Sequence, residues 1–230
     1  MNIDPQNPDA KGRDRFVLSK GHCSPALYAT LAQRGFFPKE DLKTFRKIDS
    51  YLQGHPDKTK VPGVDMTTGS LGQGLSVANG MALASKLNKE GCRVYCLLGD
   101  GEIEEGQVWE AAMTAAKYKL DNLCVIIDNN NLQIDGTIME VGGMHHIYDK
   151  FRAFGFEIIS IDGNNILQLM NAFQLAKQLK GRPCLILAKT IKGKGISFME
   201  NQASWHGKAP TEQEYNQAMA ELNSNEGGVN

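Results

Sequence analysis

Asp100 and Asn130 carry the oxygen-bearing side chains in this sequence best placed to hold a hard cation. Asp100 lies in Gly99-Asp100-Gly101, directly after the apolar run Val94-Tyr95-Cys96-Leu97-Leu98. Asn130 follows a second such run, Leu123 to Asp128. Each run is short, bounded by turn formers and rich in residues that suit a buried strand. Between them Val108, Ala111, Ala112, Ala115 and Ala116 recur at helical spacing over Glu105 to Lys117. Strand, turn, helix and strand in that order make a parallel crossover unit. Both side chains are therefore expected just past the carboxyl ends of two strands, where open parallel sheets bind ligands. Carboxylate and amide oxygens suit Mg²⁺ or Ca²⁺ better than zinc. Mg²⁺ takes few protein ligands and fills its shell with water and substrate phosphates, so the pattern points to a metal that clamps a diphosphate. Gly-Asp-Gly alone is a common turn, and Asn129-Asn130-Asn131 alone is a polar loop. The inference rests on each following its own strand.

Glycine-rich segments offer further chemistry. Gly63 to Gly74 leads directly into a helix, and its glycines let backbone N–H groups approach an anion or an aromatic ring. His22, His55 and His206 each sit beside glycine in a loop, where sites concentrate. His145 and His146 are also in a loop, with nothing to give them a chemical role. Lys192 and Lys194 stand in a basic Lys-Gly-Lys-Gly loop and could offset phosphate charge. No nucleophile elbow, metalloprotease helix, P-loop lysine or GxGxxG after a strand is present.

The elements that must position these residues fit one α/β domain. Arg15 to Lys20 reads as extended, and helices are expected over Ser24 to Arg34, Lys39 to Arg46 and Leu75 to Asn88. The last of these is rich in Ala, Ser, Gly and Met, which suits packing on both sides. Gln53 to Gly74 reads as loop. Glu157 to Ile161 and Pro183 to Ala188 read as strands flanking an amphipathic helix, Ile166 to Leu179. The domain is expected to occupy residues 1–222, with a disordered tail over 223–230. At 230 residues and net charge −1, with no basic run, the chain is a poor candidate for nucleic-acid binding. No apolar segment is long enough to span a bilayer, and no membrane partner is expected. Cys23, Cys92, Cys96, Cys124 and Cys184 form no CxxC pair, and three lie inside apolar runs. They read as buried thiols of a reducing, cytoplasmic compartment.

Taken together the runs are recognisable. Gly99-Asp100-Gly101 with Asn130 thirty positions beyond Asp100 resembles the thiamine diphosphate motif. Arg13-Asp14-Arg15-Phe16-Val17-Leu18-Ser19-Lys20-Gly21-His22 resembles transketolase. So do Gly54-His55-Pro56, Thr68-Gly69-Ser70-Leu71-Gly72-Gln73-Gly74 and Trp205-His206-Gly207. They occur in the family's order from about Asn7 to Pro210, and they match its amino-terminal, diphosphate-binding domain in the form encoded as a separate subunit. The resemblance implies a three-layer α/β/α fold with a mainly parallel sheet. It implies thiamine diphosphate and Mg²⁺ as cofactors, with Ca²⁺ or Mn²⁺ able to substitute. Asp100, Asn130 and the carbonyl of Leu132 would hold the metal. Gly101 would approach the diphosphate, with His22 and His206 on or beside the phosphates. Gly69 and Leu71 would present backbone to the aminopyrimidine, Ile134 and Ile191 would pack on the cofactor, and Lys192 matches a cofactor-side lysine. His22 and His55 would act on the reacting oxygens, and Glu105 matches a carboxylate of an inter-subunit acidic network.

The implied reaction passes a two-carbon ketol group from a ketose phosphate to an aldose phosphate. Two departures bear on it. The family's domain begins some fifty residues earlier, with a helix and a Ser-Gly-His-Pro run that this chain lacks, so an amino-terminally truncated domain is expected. The pyrimidine-binding domain, which supplies a catalytic glutamate, is also absent. A carboxyl-terminal transketolase subunit is the implied partner, in a hetero-oligomer with two copies of each chain. Half of another thiamine diphosphate enzyme, similar to deoxyxylulose phosphate synthase or a dehydrogenase alpha chain, is an alternative reading. So is a non-catalytic cofactor-binding module.

Overall fold

Apolar side chains alternate between two faces along each strand, and helices cover both faces. In the computed structural model, which describes residues 1–226, five parallel strands form the main sheet. They are β1 (Arg15–Leu18), β2 (Val94–Gly99), β3 (Leu123–Asn129), β6 (Glu157–Asp162) and β7 (Cys184–Lys189), in the order β1-β2-β3-β7-β6. Helices α2 (Gly74–Leu87) and α3 (Gly106–Lys117) cover one face. There Leu75, Ala78, Val108 and Ala112 close over Cys96, Leu98, Val125 and Ile127. Helix α6 (Ile166–Gln178) lies on the other face, where Ala172 and Ala176 meet Cys124, Cys184 and Ile186. A third cluster joins helix α1 (Ser24–Gln33), through Tyr28 and Leu31, to Leu52, Val61 and Val64 of the long loop that follows. This is the expected three-layer arrangement.

The order of strands places a ligand crevice. The chain steps from β1 to β2 to β3 with its connecting helices on one face. It then starts again at the far edge with β6 and returns to β7, with α6 on the opposite face. A right-handed crossover can reverse direction only by changing faces, so the switch falls between β3 and β7. Asp128 and Asn129 end β3 there, beside Ala188 and Lys189 of β7.

Three local expectations need correction, and one set of elements was not foreseen. Lys39–Thr44 forms a 3₁₀ turn rather than a helix to Arg46, because the segment buries no residue and Arg46 adopts φ of 60°. Helix α2 buries one stripe only, and Gly80 on its other side has open space around it. The tail expected from Asn223 is helical as far as Glu226, as the end of α7 (Glu212–Glu226). Burial of Ala218 and a 2.6 Å bond from Ser197 N–H to Glu221 anchor this helix, whereas residues 227–230 lie outside the described part. Finally, a hairpin of β4 (Leu132–Gln133) and β5 (Gly136–Thr137) follows β3, leading into α4 (Ile138–Val141) and then α5 (Ile147–Ala153). The Thr137–Glu140 capping box is a readable helix start.

Leu98 is fully buried in β2, whereas Leu87 at the end of α2 is 73% exposed. Leu98→Ala should lower the unfolding free energy by about 2–5 kcal/mol in urea titration. Leu87→Ala should change it by less than about 0.5 kcal/mol.

Candidate functional site

Asp100 is the first residue past β2 and is almost fully buried. Its backbone N–H extends the ladder by one bond to the Asp128 carbonyl, at 3.3 Å. Its carboxylate then reaches across to the end of β3. One oxygen accepts from Asn131 N–H at 2.5 Å and from the Asn129 amide at 3.0 Å, while the other accepts from Gly101 N–H at 3.0 Å. Asn131 turns the chain in the left-handed region, φ 62°, which asparagine tolerates better than most residues. That turn puts the Asn130 side-chain oxygen within 3.0 Å of Leu132 N–H. Gly101 faces the hairpin so closely that a Cβ would stand 3.3 Å from Gln133 and 3.4 Å from Ile138. Asp100 and the Asn129–Leu132 turn thus form one unit. Burial raises the Asp100 pKa, and the three donors only partly oppose that rise.

Sequence reasoning passed over a second tier of polar residues. Glu102, nearly buried, accepts from the Ser19 hydroxyl, from Gly72 N–H at 2.9 Å and from Gly99 N–H at 3.1 Å. It therefore ties the ends of β1 and β2 to the glycine-rich loop. Lys20, also buried, pairs its ammonium with one oxygen of Asp128, and the Thr190 hydroxyl donates to the other. Burial alone would raise the Asp128 pKa, but the Lys20 charge and these bonds hold it below the usual value. The available signal was position, since Lys20, Asp128 and Thr190 stand at or just past the ends of β1, β3 and β7.

These strand ends floor a cavity of about 790 Å³, within the usual range for a cofactor site. Asp100, Gly101, Asn130 and Leu132 line its floor, and exposed Ile134 stands at its rim. His22, Gly69, Leu71, Ile191, Lys192 and His206 also line it. The rings of His22 and His206 are 5.1 Å apart, and Lys192 Nζ lies 3.4 Å from His206 Nδ1. Loss of water around His22, then the neighbouring charges of His206 and Lys20, push its pKa down to about 4. His206 is lowered for the same kind of reason.

Not every candidate joins the cavity. His55 stands behind Gly69, where a Cβ on that glycine would come within 3.3 Å of the imidazole. It is close enough for its charge to act on His22 but does not line the cavity wall. Lys194 turns away to Glu200 at 3.2 Å, and His145 and His146 stay in an exposed loop. Glu105 precedes α3 and is exposed.

The donor set suits a divalent cation bound to an anion. Asp100 and Asn130 carry hard oxygen atoms at the cavity, and Leu132 lines it beside them. When ionised, Asp100, Glu102 and Asp128 outweigh Lys20 by two charges, which one divalent cation would offset. Comparison with known proteins gives the same direction. Residues 1–226 match the family model described as transketolase, thiamine diphosphate binding domain.

The chain belongs to this transketolase family.

It is 48% identical over 222 residues to a 6-deoxy-6-sulfo-D-fructose transketolase subunit of Clostridium sp. (strain MSTE9), covering 96% of this chain and 81% of that protein. It is 44% identical over 222 residues to an apulose-4-phosphate transketolase subunit of Phocaeicola vulgatus, covering 96% and 79%. The crystal structure of transketolase from Campylobacter jejuni superposes with a TM-score of 0.91 at 37% identity. That match takes in 97% of this chain but 36% of the Campylobacter chain, so the transketolase domain here spans about a third of that longer protein.

With its pKa pushed down to about 4, His22 is neutral from pH 5 to 8 and gains its proton only as pH falls through that value. Histidine ring NMR should show one site titrating near pH 4, which moves upward in His206→Ala as a like-charged neighbour is lost. A His22 titration near the ordinary 6.5 contradicts this.

Proposed function

We propose that this chain is the diphosphate-binding subunit of a two-subunit transketolase. Thiamine diphosphate and Mg²⁺ bind past the ends of β2 and β3, and a two-carbon ketol group passes from an anionic ketose to an aldose phosphate. The observation that carries this reading is the union of Asp100 with the Asn129–Leu132 turn at the floor of a cavity walled by His22, Lys192 and His206. The bound cofactor supplies carbanion stabilisation for breaking a carbon–carbon bond next to a carbonyl.

The residues of this chain position and protect that chemistry. Asp100, Asn130 and the Leu132 carbonyl hold the metal, while Lys192, His206 and the close backbone of Gly101 receive the diphosphate. Gly69 and Leu71 offer backbone to the aminopyrimidine, and Ile134 and Ile191 supply apolar contact. Neutral His22 gives and takes hydrogen bonds at the reacting oxygens without adding a fixed charge, and His55, exposed on the far side of Gly69, serves substrate hydroxyls that extend beyond the cavity. Glu102 keeps the glycine-rich wall at a fixed distance from the floor.

A second subunit completes the site. Leu71 and Ile134 are exposed where they line the cavity, and Met139 and Val141 are exposed on α4, apolar surface that a partner would cover. Relatives named as transketolase subunits support a separate partner chain. We take it as a carboxyl-terminal transketolase subunit, joined in a heterotetramer. The substrates in their names, a sulfonated fructose and apulose 4-phosphate, point to an anionic ketose as donor. No helix among the described residues is long and apolar enough to cross a membrane. Four buried free thiols, Cys92, Cys96, Cys124 and Cys184, support the cytoplasm as the site of action.

Asp100→Ala should abolish Mg²⁺-dependent binding of thiamine diphosphate in calorimetry with the partner subunit present. Affinity equal to wild type removes the metal assignment.

A further inference from the structure

Lys20 and Asp128 line the same cavity as the proposed metal ligands but belong to neither the ligand set nor the cofactor contacts. We propose that Lys20 is a positioning residue that withholds the Asp128 carboxylate from the metal. Asp100 is then the cation's one carboxylate ligand, and coordination positions stay open for diphosphate oxygens. This inference rests on the reading of the site given above.

The geometry makes Asp128 a competitor. Its strand partner is Gly99, the residue before Asp100, and Asp100 N–H donates to its carbonyl at 3.3 Å. It lies two positions before Asn130. The two carboxylates therefore spring from adjacent strand ends and face one cavity, near enough for the charge of Asp128 to act on Asp100. Both Asp128 oxygens are nonetheless engaged, one by the buried Lys20 ammonium from the end of β1 and the other by the Thr190 hydroxyl past β7. Hard divalent cations accept several carboxylates readily. An unpaired Asp128 would give the bare cation a second anionic ligand. It would also use a position the diphosphate needs and add repulsion against its charge.

Loss of Lys20 should therefore move two affinities in opposite directions, whereas damage to the fold weakens both. The test compares wild type, Lys20→Met, Lys20→Arg, Asp128→Asn and Lys20→Met/Asp128→Asn. With the partner subunit present, binding of Mn²⁺ alone is measured by EPR, and binding of thiamine diphosphate at saturating Mg²⁺ by calorimetry. Lys20→Met should bind Mn²⁺ roughly tenfold tighter and thiamine diphosphate roughly tenfold weaker, the size expected of one uncompensated charge near a solvated site. The double variant should return both values to within about threefold of wild type, and Lys20→Arg should stay close to wild type throughout. If Lys20→Met does not fold, Thr190→Val should show the same opposed shifts at smaller size. Parallel losses in both affinities, or no change in either, overturn the role of Lys20. Failure of the wild type to bind thiamine diphosphate with Mg²⁺ overturns the site reading itself, an outcome distinct from the first two.

Discussion

A buried carboxylate is costly unless donors surround it, and Asp100 meets that demand by drawing two strand ends together. Its partners come from the residue that follows it and from the turn after β3. The bonds that make its burial tolerable are therefore the bonds that fix where Asn130 and Leu132 stand. Fixing the place of these residues and keeping the two strand ends in register are a single constraint. A site built this way is organised before any ligand arrives, so binding need not order the turn.

The surrounding architecture supplies what one side chain cannot. Reversal of strand order between β3 and β7 opens the crevice, and parallel pairing delivers polar termini from β1, β2, β3 and β7 to one end of the sheet. Those termini carry Lys20, Asp100, Asp128 and Thr190. Glu102 adds a second buried clip that fixes the glycine-rich loop to the same floor. Negative charge gathers on the floor and positive charge on the Lys192 side, the polarity needed by a cation with an anion above it. Exposed Leu71 and Ile134 add apolar surface to the lining.

Much of this was legible because the signals were local. Val94 to Leu98 and Leu123 to Asp128 are apolar runs of strand length, and the alanine-rich stretch between them has clear helical spacing, so the crossover and the placing of Asp100 and Asn130 follow directly. Other features depend on contacts that spacing does not encode. Glu102 is one acidic residue among several after Gly101, and only the fold brings Ser19 and Gly72 to it. Lys20 reads as an ordinary end of a motif until β1 is set beside β2 and Asp128 two strands away. Asn223 to Glu226 reads as a polar tail because helix α7 is held mainly through Ala218 and Glu221, whose partners lie elsewhere. His55 follows a glycine just as His22 does, although Gly69 stands between it and the cavity.

The central claim is that Asp100 and the Asn129–Leu132 turn hold one divalent cation beneath a diphosphate. The most direct measurement is a crystal structure of the chain with Mn²⁺ and thiamine diphosphate, read by manganese anomalous scattering. The account predicts one peak bonded to the Asp100 carboxylate, Asn130 Oδ1 and the Leu132 carbonyl, with the diphosphate completing its shell. A peak at any other place, or a diphosphate bound away from Asp100, would contradict it.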